Sequence, residues 1–85
     1  MIYKTTPEFW EYYRRLPRDI QRRVDKQFQL LKQNPNHPSL MFKKTRRSNY
    51  WSARVNDDYR AIAIQDGQVF TWVWIGKHGE YDRRI

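Results

Sequence analysis

Cysteine is absent from the 85 residues. That excludes disulfide staples and cysteine-ligated zinc, and it agrees with a cytoplasmic location without demanding one. The opening MIYKTTPEF has no apolar h-region, so no secretory signal peptide is expected. No apolar run approaches the length of a membrane span, so no membrane partner is expected either. The two histidines, His37 and His78, lie far apart and no carboxylate cluster accompanies them, so neither a metal nor another cofactor is expected. There is no repeat, linker or low-complexity segment. Residues 1–85 read as one small domain with one core.

Acid is scarce relative to base. Nine Asp and Glu stand against 17 Lys and Arg, a formal charge of +8. Such an excess in a small domain points to a polyanion, most often nucleic acid. An acidic protein partner and an inert basic surface are the alternatives. The core has to come largely from aromatic side chains, Trp 4, Tyr 6 and Phe 4, which bury much area each.

Along the chain, Ile2–Lys4 suits a short strand. Thr6-Pro7 reads as a helix start, with Thr6 as cap and Pro7 at the first helical position. Phe9, Trp10, Tyr12, Tyr13 and Leu16 form an apolar face at helical spacing. Pro17 disfavours helical geometry at Leu16 and suits the first turn of a second helix. That helix runs to about Gln33. Ile20, Val24, Phe28 and Leu31 share a narrow arc, and Arg18, Arg22, Lys26 and Gln29 lie opposite. Asn34-Pro35 stops it. His37 falls in the loop NPNHPS, where a lone histidine is most often structural. Leu40–Phe42 suits a short strand, and Lys43-Lys44-Thr45-Arg46-Arg47 then places four positive charges within five residues. Such a run contacts phosphates or lies solvated at a loop tip.

The stretch Tyr50–Ile64, YWSARVNDDYRAIAI, organises the rest. Trp51, Ala53 and Val55 alternate with Tyr50, Ser52 and Arg54, the period of a half-buried strand. Asn56, Asp57 and Asp58 form a turn, and Tyr59–Ile64 resumes as a second strand. In that register Arg54 lies opposite Arg60. Like charges directly opposed are destabilising. The pair therefore holds an anion, or splays into water, or the register is one residue off. Asp66-Gly67 is a tight-turn signal before a third strand, Val69–Ile75. Phe70, Trp72 and Trp74 are expected on one of its faces and Val69, Thr71, Val73 and Ile75 on the other. Gly76–Ile85 is polar and punctuated by glycine. Helices followed by consecutive antiparallel strands give an α+β layer arrangement.

With the Asp66-Gly67 turn, Arg60 falls near Val73, and a bend at Gly76 brings His78 over the arginine pair. RNA cleavage needs a base for the 2′-hydroxyl, an acid for the leaving oxygen and cations for the charged phosphorane. Histidine serves as acid or base near neutral pH. Arginines hold phosphate by bidentate charge-assisted bonds. Tyr81 and Lys43 or Lys44 offer further proton donors and charge. Arg46, Arg47 and Lys77 complete the candidate RNA- and phosphate-binding set.

At these residues the sequence resembles the RelE/ParE toxin superfamily of type II toxin–antitoxin systems, most nearly the YoeB-type messenger-RNA interferases. The likeness lies in Trp51–Arg60, WSARVNDDYR, in the spacing from its arginine to His78, and in two helices ahead of the sheet. It implies a RelE-like α+β fold, with two N-terminal helices packed on a small, mainly antiparallel twisted sheet. It implies a toxin that inhibits translation as a metal-independent, ribosome-dependent endoribonuclease, cutting messenger RNA against the 16S ribosomal RNA of the decoding site. A cognate antitoxin protein is the implied partner. By the same likeness Arg60 matches the phosphate-binding arginine, His78 the late histidine that acts as acid or base, and Arg54 a position of the hairpin motif. With Tyr81, Arg60 and His78 make up the candidate catalytic set. Two positions depart from the YoeB pattern. Gly79 stands where those toxins carry a tyrosine after the histidine, with Tyr81 the nearest substitute, and HPSLMFKK lacks the carboxylate they carry ahead of a Leu-Lys segment. Superfamily members that inhibit DNA gyrase without cleaving RNA set the alternative: a ParE-like gyrase inhibitor, or a non-catalytic homologue that only binds its antitoxin.

Overall fold

The computed structural model describes residues 1–47 and 49–85. In chain order it forms β1 (Ile2–Thr5), α1 (Pro7–Arg14), α2 (Arg18–Gln33), a 3-10 turn (Pro38–Leu40), β2 (Lys43–Lys44), β3 (Tyr50–Arg54), β4 (Tyr59–Asp66), β5 (Val69–Lys77) and α3 (His78–Arg84). One sheet has the order β1-β5-β4-β3-β2. Among the described residues only β1 pairs in parallel, with β5; every other pairing is antiparallel. The expected α+β arrangement, two N-terminal helices on a mainly antiparallel sheet, is the observed one.

The helix boundaries follow local chemistry. The Thr6 hydroxyl accepts from the Phe9 amide at 3.1 Å, satisfying one of the orphan donors of α1. Pro17 sits just ahead of α2, and Gln21 Nε2 closes the junction by donating to the Tyr13 carbonyl at 3.0 Å. Phe9 of α1 and Val24 and Leu31 of α2 pack on Ala53, Val55, Ala61, Ala63, Phe70, Trp72 and Ile75, which makes this the inner face of the sheet. Phe42 fills the centre of the aromatic layer, with ring centroids 5.0 Å from Trp51 and 5.3 Å from Phe70. No helix among the described residues is long and apolar enough to cross a membrane.

Three points correct or complete the expectations. Leu40–Phe42 is not a strand. Pro38 opens a 3-10 turn whose Ser39 amide is accepted by the His37 ring nitrogen at 3.2 Å. Met41 then takes a left-handed conformation, φ 44°, which ends the turn and drops Phe42 into the core. The strand forms one step later, at Lys43–Lys44. The polar, glycine-punctuated tail, to which the sequence assigns no element, contains a helix, His78–Arg84, held on the outer face of the sheet by Tyr81 against Ile62 and Trp74. That burial outweighs the helix cost of Gly79.

The third point concerns β5. Asp66 pairs with Val69, and the register then shifts by one between Ile62 and Ala63, leaving Val73 without a partner. A bulge of this kind reverses the alternation beyond it. Ile75, rather than Trp74, therefore joins Phe70 and Trp72 on the inner face, and Trp74 turns outward to Ile62 and Tyr81. Arg60 consequently pairs with Gly76, not Val73. Gly76 is no bend; it lies inside β5, where a Cβ would meet the Trp74 ring at 2.5 Å.

Candidate functional site

The three-residue turn between β3 and β4 builds the site. Asn56 Oδ1 accepts from the amides of Asp58 at 2.8 Å and Tyr59 at 3.0 Å, the short polar loop that Asn-Asp-Asp favours. The resulting register places Arg54 directly opposite Arg60, as the spacing predicts. The anion between such opposed charges is partly internal. Asp57 forms an ion pair with Arg54 Nη2. Arg60 Nη1 donates to the carbonyls of Asn56 and, at 3.0 Å, of Tyr59. Among the described residues these contacts occupy one terminal nitrogen of each guanidinium. The remaining N–H groups stay available to a phosphate. The Asp58 carbonyl accepts from the His78 amide at 2.8 Å, so the same turn also fixes the start of α3.

Met41, Lys43, Ser52, Arg54, Arg60, His78 and Tyr81 line an open cleft of about 240 Å³ on the outer face of the sheet. The His78 ring stacks on Tyr81, centroids 5.8 Å apart and planes within 20°. His78 Nε2 lies 3.6 Å from Asp82 Oδ1, one helical turn on, an orienting contact for the ring. The imidazole stays about half exposed, whereas the Tyr81 side chain is largely buried beneath it. The cleft thus brings together two arginines, a lysine, an accessible imidazole and a phenol, which is the set that phosphodiester chemistry needs.

Not every candidate converges. Lys77 pairs with Tyr59 and lines a different pocket, beside Arg15 and Leu16. Lys44 is exposed opposite Trp51, and Arg46 is exposed in the loop after β2. Arg47 lies 4.3 Å from the Tyr50 ring centroid, away from the cleft. His37 has the structural part already described.

Several participants escape sequence reading. Asp57 is legible only as a turn former, and Met41 carries no local signal. Gln27 has one: it is a polar residue within the apolar stripe of α2. It is buried, and its Nε2 donates to the carbonyls of Arg54 at 3.0 Å and Ser39 at 3.3 Å. Arg23 Nε donates to the Val55 carbonyl at 2.9 Å. Together they tie the arginine end of the hairpin to α2.

The family model for ParE-like toxin domains matches residues 18–83. No curated protein matches the chain by sequence. Among solved structures, the chain is similar to one from the RelB–RelE antitoxin–toxin complex of Methanococcus jannaschii, with a TM-score of 0.75 and 14% identity over 96% of this chain and 98% of that one. It is similar to YafQ from E. coli, TM-score 0.74 and 14% identity over 93% and 94% of the two chains. It is also similar to a chain of the RelBE2 toxin–antitoxin complex of Mycobacterium tuberculosis, TM-score 0.70 and 21% identity over 91% and 96%. Identities this low speak for the fold alone.

Proposed function

The chain belongs to the family of ParE-like toxin domains, and from that premise we propose that it is the toxin of a type II toxin–antitoxin pair and cuts messenger RNA on the ribosome, in the cytoplasm. The observation that carries this reading is the convergence of Arg54, Arg60, His78 and Tyr81 on one open cleft, with Lys43 at its side. In the proposed reaction the 2′-hydroxyl of RNA attacks the adjacent phosphorus and the bond to the 5′-oxygen breaks. The products are a 2′,3′-cyclic phosphate and a 5′-hydroxyl. Arg60 holds the phosphate and stabilises the charge that builds on it, and Arg54 joins it once Asp57 is displaced. His78 transfers a proton at one of the two reacting oxygens, and the Tyr81 hydroxyl serves the other. The positive charge comes from the arginines, so the scheme calls on no metal ion.

The partner that would neutralise such a toxin is an antitoxin protein. The formal charge of +8 favours an acidic one, and several similar structures are antitoxin–toxin complexes. The test is primer extension on cellular messenger RNA after brief induction, run beside a gyrase supercoiling assay. Cuts within coding sequence that vanish with folded Arg60→Ala are the expected result. Inhibited supercoiling with intact messenger RNA would replace this reading with gyrase inhibition.

A further inference from the structure

A second pocket, of about 290 Å³, opens on the same outer face at the far end of α3. Two guanidinium groups meet there. Arg47 lies 4.3 Å from the Tyr50 ring centroid and Arg84 lies 4.8 Å from that of Trp74. Arg47 Nη1 donates to the Arg84 carbonyl at 3.0 Å, which ties the loop after β2 to the end of α3. One carboxylate, that of Glu8, also lines the pocket, but among the described residues neither guanidinium has a carboxylate within ion-pair distance. Two cations are thus held in place by aromatic faces and a backbone carbonyl, and against the single carboxylate of Glu8 the pocket keeps an excess of positive charge.

The pocket adjoins the cleft along one strand. Tyr50, Ser52 and Arg54 alternate on the outer face of β3, so each stands roughly 7 Å from the next. Ser52 and Arg54 line the cleft, and Tyr50 lines the second pocket. We propose that the Arg47–Arg84 pocket is a second RNA subsite, which holds the phosphate and base of a nucleotide flanking the cleavage point in single-stranded RNA. This rests on the nuclease reading and extends its substrate grip. The guanidinium edges take the phosphate, and the Arg–aromatic layers offer planar surfaces on which a base of any identity stacks. The site would set how much RNA is held, not which bond is cut.

The test uses 2′-O-methylated single-stranded RNA, which has no nucleophile and is not consumed. A short RNA spans only the cleft, and a longer one extends several nucleotides on both sides. Fluorescence anisotropy is read at several salt concentrations. Arg47→Ala and Arg84→Ala are each expected to weaken the longer RNA about tenfold and to flatten its log–log salt dependence by about 0.7 for each phosphate no longer neutralised. Both should leave the short RNA unchanged. Arg84→Lys should keep the salt slope and lose part of the affinity, because charge remains but the planar stack does not. Arg60→Ala should weaken both RNAs. If both alanine variants, folded by circular dichroism, bind the longer RNA with wild-type affinity and slope while Arg60→Ala loses both RNAs, the subsite is overturned and the nuclease reading stands. If the wild-type protein binds neither RNA, the subsite is overturned as a grip on single-stranded RNA, while the nuclease reading, which places cleavage on the ribosome, is decided by primer extension. If the alanine variants keep RNA but lose a polyglutamate peptide that the wild type binds, the pocket serves an acidic protein and the RNA assignment is overturned.

Discussion

Replacing Asp57 by asparagine should tighten RNA binding, although it removes an ion pair. Asp57 occupies one edge of the Arg54 guanidinium, and its own side chain is 88% exposed against 29% for Arg54. A surface pair of this kind is worth about 0–1 kcal/mol, so Asp57→Asn should lower stability by no more than about 1 kcal/mol. RNA must displace the same carboxylate before its phosphate can use Arg54 fully. Relieving that competition returns up to about 1 kcal/mol to binding, which is at most about fivefold in Kd. Removing a negative charge beside the phosphate acts in the same direction. The expected result is a two- to fivefold tighter complex with 2′-O-methylated RNA by anisotropy, the gain largest at low salt because screening weakens exposed charges.

The turn itself should survive, since Asn56 rather than Asp57 holds the amides of Asp58 and Tyr59. Asn56→Ala is therefore the matched control. It should lose about 1 kcal/mol of stability and weaken RNA binding, because Arg60 loses its anchored carbonyl geometry. If folded Asp57→Asn binds RNA more weakly than wild type at low salt, Asp57 positions Arg54 for the ligand, and the competition argument is wrong.

Other expectations follow from the same geometry. Arg60→Ala and His78→Ala should each reduce RNA cleavage by about two to three orders of magnitude with the fold intact by circular dichroism; a folded His78→Ala that cuts at the wild-type rate would move proton transfer to Tyr81 or a lysine. Gly76→Ala should cost about 1–3 kcal/mol, because its Cβ would sit 2.5 Å from Trp74 Cζ2 in a packed layer, and thermal melting should show it as a drop of at least several degrees. Gln27→Met keeps volume but leaves the Arg54 and Ser39 carbonyls unpaired in the core, so denaturant unfolding should show a loss of about 1–3 kcal/mol. His37→Ala removes the ring nitrogen that meets the Ser39 amide and, at 2.9 Å, the Ser39 hydroxyl, both away from the cleft, so cleavage rates should not change and stability should fall by about 1 kcal/mol.

What the sequence discloses is what local chemistry decides. Thr6-Pro7 starts α1 because a hydroxyl acceptor and a residue without an amide suit that position. Asn56-Asp57-Asp58 fixes the hairpin register, and with it the Arg54–Arg60 pair, because three poor strand formers leave the chain one way to return. The features that remained hidden are decided by distant packing. Helix α3 is short and carries a glycine; its one buried side chain, Tyr81, gains its place only when Ile62 and Trp74 lie beneath it. No residue near Met41 announces its left-handed conformation.

The bulge at Val73 is the largest of these hidden features, and both pockets depend on it. Without it the Asp66–Val69 pairing would run on unbroken and set Ile75 opposite Arg60 on the outer face. A branched side chain would then stand opposite Arg60 where glycine now does, and His78 would start one position further along the sheet edge. Trp74 would point inward, removing the ring on which Tyr81 packs and over which Arg84 lies 4.8 Å from the centroid. With the bulge, β5 instead presents Gly76 to Arg60 and Trp74 to α3. An unpaired residue in an otherwise regular strand is tolerated where it re-aims side chains. Here it re-aims those of both the cleft around Arg60 and the arginine pocket at the other end of α3.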